Sequence, residues 1–182
     1  MIGKWTERAE KEKYMSEFIY ATKEQTQPVK ENLEKMIHQV QNYLRFQGKF
    51  TFQYKFIGSS ARKMITYNPN SNIGFDFDIN IEINDEDENY SAKEIKTILM
   101  DAFNHFSYLY YYKPCEDSTR VFTIKSVDSW RSKILYSCDF AIVNNYYDEH
   151  GIKHQQYIRY NKKQRSYVWA EQPNGYQLKK TN

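Results

Sequence analysis

From residue 75 to residue 84, apolar and polar side chains alternate without a break. Phe75, Phe77, Ile79, Ile81 and Ile83 fall on one side, and Asp76, Asp78, Asn80, Glu82 and Asn84 on the other. A period of two marks a half-buried strand, because successive side chains leave a strand on opposite faces. One face is therefore built for a core. The other carries two carboxylates, Asp76 and Asp78, roughly 7 Å apart along the backbone and pointing the same way. Neighbouring acids repel unless positive charge lies between them, so a bound divalent cation accounts for the pair. On the bare alternation a solvated acidic strand face is the commoner explanation.

The chain just before this strand carries a second signal. Residues 49–57 alternate loosely, which predicts a first strand, and run into Gly58-Ser59-Ser60. A glycine between strand and helix lets backbone N–H groups approach an anion, and the following helix turns its positive end to the same place. Arg62 and Lys63 add cations one turn later. A phosphate cradle followed by an acid-bearing strand is the equipment phosphoryl transfer requires. Downstream, residues 134–143 are apolar almost throughout, with Asp139 as the only acid. A lone charge in such a run is disfavoured unless paired or ligated. Its period groups Leu135, Ser137, Asp139, Ala141 and Val143, and the small Ser137 and Ala141 leave room beside the acid. Arg131 and Lys133, at the start of that strand, are either triphosphate contacts or ordinary surface cations.

Elsewhere the pattern alternates helices and strands. Residues 6–25 read as an exposed helix with a narrow apolar stripe. A second helix is predicted from Pro28 to about Phe46, on Val29, Leu33, Met36, Ile37, Val40 and Leu44, with Gly48 ending it. The acidic run at residues 84–89 lacks the glycine of a calcium loop and reads as solvated. Ser91 and Glu94 form a capping box for a helix reaching about Tyr112, its stripe running from Ile95 to Leu109, and Pro114 stops it. Residues 120–127 and 133–143 are predicted strands, and residues 155–159 and 165–170 a hairpin. Tyr167 and Trp169 are either core residues or a base-stacking platform.

The length of 182 residues suits one domain. Lys plus Arg at 26 against Asp plus Glu at 23 gives a net charge of +3, far short of a nucleic-acid-binding signature. Cys115 and Cys138 have no metal-type spacing, and with no signal peptide or membrane-length apolar run we expect a cytoplasmic protein without membrane contact.

Gly58-Ser59, Ala61-Arg62, a polar loop and Asp76-Phe77-Asp78-Ile79-Asn80-Ile81 together resemble the hG[GS] and [DE]h[DE]h signature of the DNA polymerase β-like nucleotidyltransferase superfamily. The loop of residues 66–74 and the GSxAR opening are most similar to the branch of oligoadenylate synthetases, cGAS and bacterial cyclic-oligonucleotide synthases. The resemblance implies an α+β fold, the polymerase β-like palm: a mixed, mostly antiparallel sheet with helices chiefly on one face. It implies one core domain over residues 1–182, with an N-terminal helical segment over residues 1–27. It also implies a third carboxylate on a neighbouring strand, which Asp139 supplies. Asp76, Asp78 and Asp139 would be catalytic and hold two Mg2+ (or Mn2+) ions. Gly58, Ser59, Ser60, Arg62, Lys133 and Tyr167 would bind the nucleotide.

The implied reaction transfers an NMP from an NTP to a hydroxyl of a nucleotide, an RNA end, a small molecule or a protein, releasing pyrophosphate, with cyclic or linear oligonucleotide synthesis included. Members of that branch continue into a helical lobe that is not visible here. The expectation is thus a minimal enzyme, a cleft completed by a partner chain, or a catalytic core. The rival reading is a non-catalytic nucleotide- or nucleic-acid-binding module, or an antitoxin-like partner protein, on the same fold.

Overall fold

The computed structural model describes residues 18–85 and 87–172. Residues 6–17 of the expected first helix lie outside that range. The remainder of that segment is not helical up to Tyr20, because Ile19–Tyr20 is a short strand, β1, pairing antiparallel with β3 (Thr66–Tyr67) inside the stretch read as a loop. Helix α1 (Lys23–Phe46) then begins earlier than Pro28 suggested. Its start is set by a capping box: the Thr22 hydroxyl accepts from Gln25 N, and Gln25 Oε1 accepts from Thr22 N at 2.8 Å. Pro28 removes a single ladder bond inside the helix, and the two donors satisfied at the cap offset it. Val29, Leu33, Met36, Ile37, Val40 and Leu44 are all buried, as their spacing predicts.

Strand β2 (Thr51–Ile57) leads into a single helical turn, α2 (Gly58–Arg62), and then through β3 to the long strand β4 (Ile73–Asn84). The second capping box is also formed, with Glu94 Oε2 accepting from Ser91 N at 2.8 Å at the start of α3 (Ala92–Ser107). This helix stops sooner than Pro114 implied. A 3-10 turn over Tyr108–Tyr110 comes next, with Tyr111 at φ +60°, and Leu109, expected in the stripe, is half exposed. After β5 (Glu116–Asp117) and β6 (Val121–Asp128) comes β7 (Lys133–Tyr147), longer than its sequence pattern indicated, and then the hairpin β8 (Lys153–Asn161) and β9 (Ser166–Glu171).

The main sheet has seven strands in the order β2-β4-β7-β6-β5, with the β8–β9 hairpin attached to β7. Among the described residues of this sheet only β4 and β7 run parallel, and the other pairings are antiparallel. Helices α1 and α3 pack on one face, where Phe75, Phe77, Ile79, Ile81 and Ile83 meet Leu33, Met36, Ile95, Leu99 and Phe103 in one apolar cluster. Phe122 stacks on Phe140, and Phe103 packs edge-on and tilted against the pair, with ring centroids 4.6 to 5.3 Å apart. Truncating any one of these rings costs about 3–5 kcal/mol.

Gly74 explains how the two parallel strands come together. A Cβ there would sit 1.8 Å from the Leu135 carbonyl oxygen, so glycine is what permits β4 and β7 to meet at that end. Among the described residues, no helix is long and apolar enough to cross a membrane.

Candidate functional site

The face of the sheet opposite the helices is where the acids stand. The parallel register sets Asp78 directly beside Asp139 and Asp76 beside Ser137, so the three carboxylates share one face of two adjoining strands. That juxtaposition results from alternation in each strand plus a register that neither segment specifies alone.

Each acid has its own surroundings. Asp76 is exposed and accepts a hydrogen bond from the Ser137 hydroxyl. Asp139 is half-buried and accepts from the Thr123 hydroxyl at 2.5 Å, Thr123 being its antiparallel neighbour on β6. Asp78 lies between them with β2 on its other side. Burial, and then the charges of Asp139 and Asp76, hold its carboxyl above the usual carboxylate range. Among the described residues no lysine or arginine forms an ion pair with any of the three.

The glycine-serine turn adjoins this centre. Gly58 has φ +61°, and a Cβ at that position would lie 3.0 Å from Asp78 Oδ2. A side chain there would be strained by the backbone and crowded by the acid, so two constraints call for glycine. The Ser60 hydroxyl accepts a hydrogen bond from the Asp78 backbone N–H at 3.1 Å, fastening α2 to the acid-bearing strand. Ser59 is half-buried on the same turn, and Arg62 is exposed at the end of it. Lys133 is half-buried at the first position of β7, on the alternation that carries Asp139.

Tyr167 is not brought to the acids. It lies on the helix-covered side, where its hydroxyl donates to Asp117 and the Lys96 ammonium sits 4.5 Å above its ring. Lys96 itself is 2% exposed and bonds Asp117 at 2.6 Å and the Ser118 carbonyl at 2.7 Å. This cluster ties α3, β5 and β9 together.

Two residues of the acid face were not singled out by sequence. Thr123 holds Asp139, and Lys125 pairs with Ser137 in register while reaching Glu116 at 2.5 Å. Alternation puts both on one side of β6, but only the register shows that the side is shared with the acids.

The donor chemistry of the three carboxylates suits a hard divalent cation, all oxygen and, among the described residues, not ion-paired to a lysine or arginine. Among the described residues, however, no three His, Cys, Asp or Glu side chains are gathered as a ready coordination set. Asp76 and Asp139 are each turned onto a hydroxyl instead.

No family model and no curated protein matches the chain. Solved structures do. The chain is similar to the Bradyrhizobium diazoefficiens CD-NTase CdnG in complex with GTP, at 14% identity and TM-score 0.47, covering 66% of this chain and 30% of that one. It is similar to the STING-associated CdnE c-di-GMP synthase from Capnocytophaga granulosa, at 17% identity and TM-score 0.46, covering 82% and 43%. It is also similar to the Vibrio cholerae DncV cyclic AMP-GMP synthase, at 13% identity and TM-score 0.43, covering 66% and 31%. The chain spans less than half the length of each of these structures. It is the acids and their register, rather than these likenesses, that bear on function.

Proposed function

We propose that the chain is the core of a metal-dependent nucleotidyltransferase, moving an NMP from an NTP to a hydroxyl acceptor with release of pyrophosphate. One observation carries this reading: Asp76, Asp78 and Asp139 meet on one face of two parallel strands, next to a positive-φ glycine, with Asp78 held above its ordinary pKa by burial and by the other two. Such uncompensated carboxylates are costly for folding alone and gain a purpose when they bind a cation.

Asp76, Asp78 and Asp139 would hold the magnesium or manganese ions. When bound, these ions supply charge neutralisation for the triphosphate and acidify the acceptor hydroxyl. The chain's own groups have separate tasks. Ser59, with the N–H groups of the turn, orients the donor phosphates, and Gly58 leaves the space that lets them approach Asp78. Ser60 keeps Asp78 in place through its backbone bond. Ser137 and Thr123 aim Asp76 and Asp139, and turning aside lets those carboxylates accept a cation. Arg62 and Lys133 add positive charge for the leaving pyrophosphate.

The test is pyrophosphate release from each NTP with magnesium, comparing the wild-type chain with the Asp76→Asn, Asp78→Asn double variant. A loss of at least a hundredfold is expected, and unchanged turnover would end the assignment. The rival is a module that binds nucleotide without turning it over, favoured by the seating of Asp76 and Asp139 on hydroxyls. It predicts that NTP raises the melting temperature with or without magnesium and that no pyrophosphate forms.

A further inference from the structure

The side of the sheet that faces the helices holds a cleft of about 260 Å³, separate from the acids. Its floor is Phe56, Ile65 and Phe77. Phe56 pairs in register with Ile79, and both Phe56 and Phe77 belong to the apolar face. The cleft therefore opens behind the strand whose other face carries Asp76 and Asp78. Its rim is cationic, with Lys23 and Lys30 from α1 and Lys63 just after α2, and among the described residues no acidic side chain lines it.

Three ammonium groups around one small cavity repel one another, and a bound anion relieves that repulsion. The acids close to the rim stand outside the lining: Glu34 is 3.9 Å from Lys30 in a helical pair, Glu31 accepts from Gln27 Nε2 at 3.0 Å, and exposed Glu24 feels the Lys23 charge, and such solvated pairs offset the lysine charges only weakly. Lys30 also lies 4.8 Å over the Phe56 ring, so the cation and the aromatic floor meet at the same spot. At this volume, below the usual range of about 300–1,000 Å³ for ligand pockets, the cleft accommodates one ring rather than a whole nucleotide.

We infer that this cleft binds a small aromatic phosphate, its ring on Phe56, Ile65 and Phe77 and its anionic end among Lys23, Lys30 and Lys63. Ser60 joins the two faces, since it lines the cleft and also accepts the Asp78 N–H. The site does not depend on the transfer reaction and is tested without it.

Phenyl phosphate is titrated into the 15N-labelled full chain in the presence of EDTA, with amide shifts read by NMR. The expected result is a saturable shift of the Thr26, Gln27, Ser60, Ala61 and Lys63 amides, with a Kd below about 1 mM. Lys30→Gln with Lys63→Gln weakens it at least tenfold, the same spectra verifying that the variant is folded. Asp76→Asn with Asp78→Asn leaves it unchanged. Phenol and inorganic phosphate, each carrying half of the recognised chemistry, bind at least tenfold more weakly than phenyl phosphate. Shifts confined to the acid-bearing face, no saturable shift at the cleft, or equal binding by inorganic phosphate would overturn the inference.

Discussion

Replacing Asp78 by Asn should make the folded chain more stable at neutral pH. Adjacent strands lie about 4.8 Å apart, so the Asp78 and Asp139 charges, paired directly in register, are near neighbours. Two like charges at about 5 Å repel by about 1 kcal/mol in bulk water and by about 3 kcal/mol at an effective dielectric constant of 20. Asp78 is only half-buried. A gain of about 1–2 kcal/mol is therefore expected, or roughly 2–8 °C in Tm for a chain of this size.

The sign with pH is set by the raised pKa. Between the unfolded carboxylate value, about 3.9, and the higher folded value, the native state binds more protons than the unfolded state, so wild-type stability falls as pH rises through that window. The advantage of Asp78→Asn should thus be full at pH 7 and shrink as the pH approaches 4. Urea unfolding of both chains from pH 4 to pH 7.5 measures it. Magnesium should narrow the gap at pH 7 by stabilising only the wild-type chain. A variant less stable than wild type at pH 7, or a difference that does not move with pH, would refute the reasoning.

Gly74→Ala forces its Cβ into the Leu135 carbonyl, and should lower stability by about 1–3 kcal/mol or more in urea unfolding while abolishing pyrophosphate release. Gly58→Ala combines a positive φ with crowding against Asp78 and is expected to cost about 1–2 kcal/mol, with thermal unfolding as the readout. Thr123→Val keeps the shape of the side chain but removes the bond to Asp139, costing about 1–2 kcal/mol in urea unfolding and slowing turnover in the pyrophosphate assay. Lys96→Met takes the ammonium away from the Ser118 carbonyl and the Asp117 carboxylate and should cost about 1–3 kcal/mol by thermal unfolding, leaving the pyrophosphate assay unaffected.

What could be read directly from sequence was whatever local chemistry decides. Alternation in β4 assigned all ten side chains of residues 75–84 to their faces, α1 shows the stripe its spacing predicts, and α3 shows it from Ile95 to Phe103 but not as far as Leu109. Where local signals competed, the reading slipped. Thr22 with Gln25 outweighed Pro28 in starting α1, and α3 ended before Pro114 because the chain had already turned at Tyr111. Non-local pairings were out of reach. Nothing within residues 66–67 announces that Ile19 and Tyr20 will pair with them. Tyr167 was assigned to a nucleotide because its residue type allows stacking. Its place beside Lys96 and Asp117 depends on how the β8–β9 hairpin packs on α3, which no motif records. Thr123 was passed over for the same reason, since its relation to Asp139 exists only once β6 is aligned with β7.

The lone parallel pairing has a kinetic consequence. A two-residue hairpin can zip antiparallel strands, but β4 and β7 are joined in sequence only through the long connection of α3, β5 and β6. Loop closure over such a distance slows folding, so residues 78 and 139 are expected to become neighbours late. A chain caught partway would own every carboxylate of the cluster and still lack the cluster itself, and substitutions in the connecting segment would then alter how fast the acids assemble more than where they finally stand.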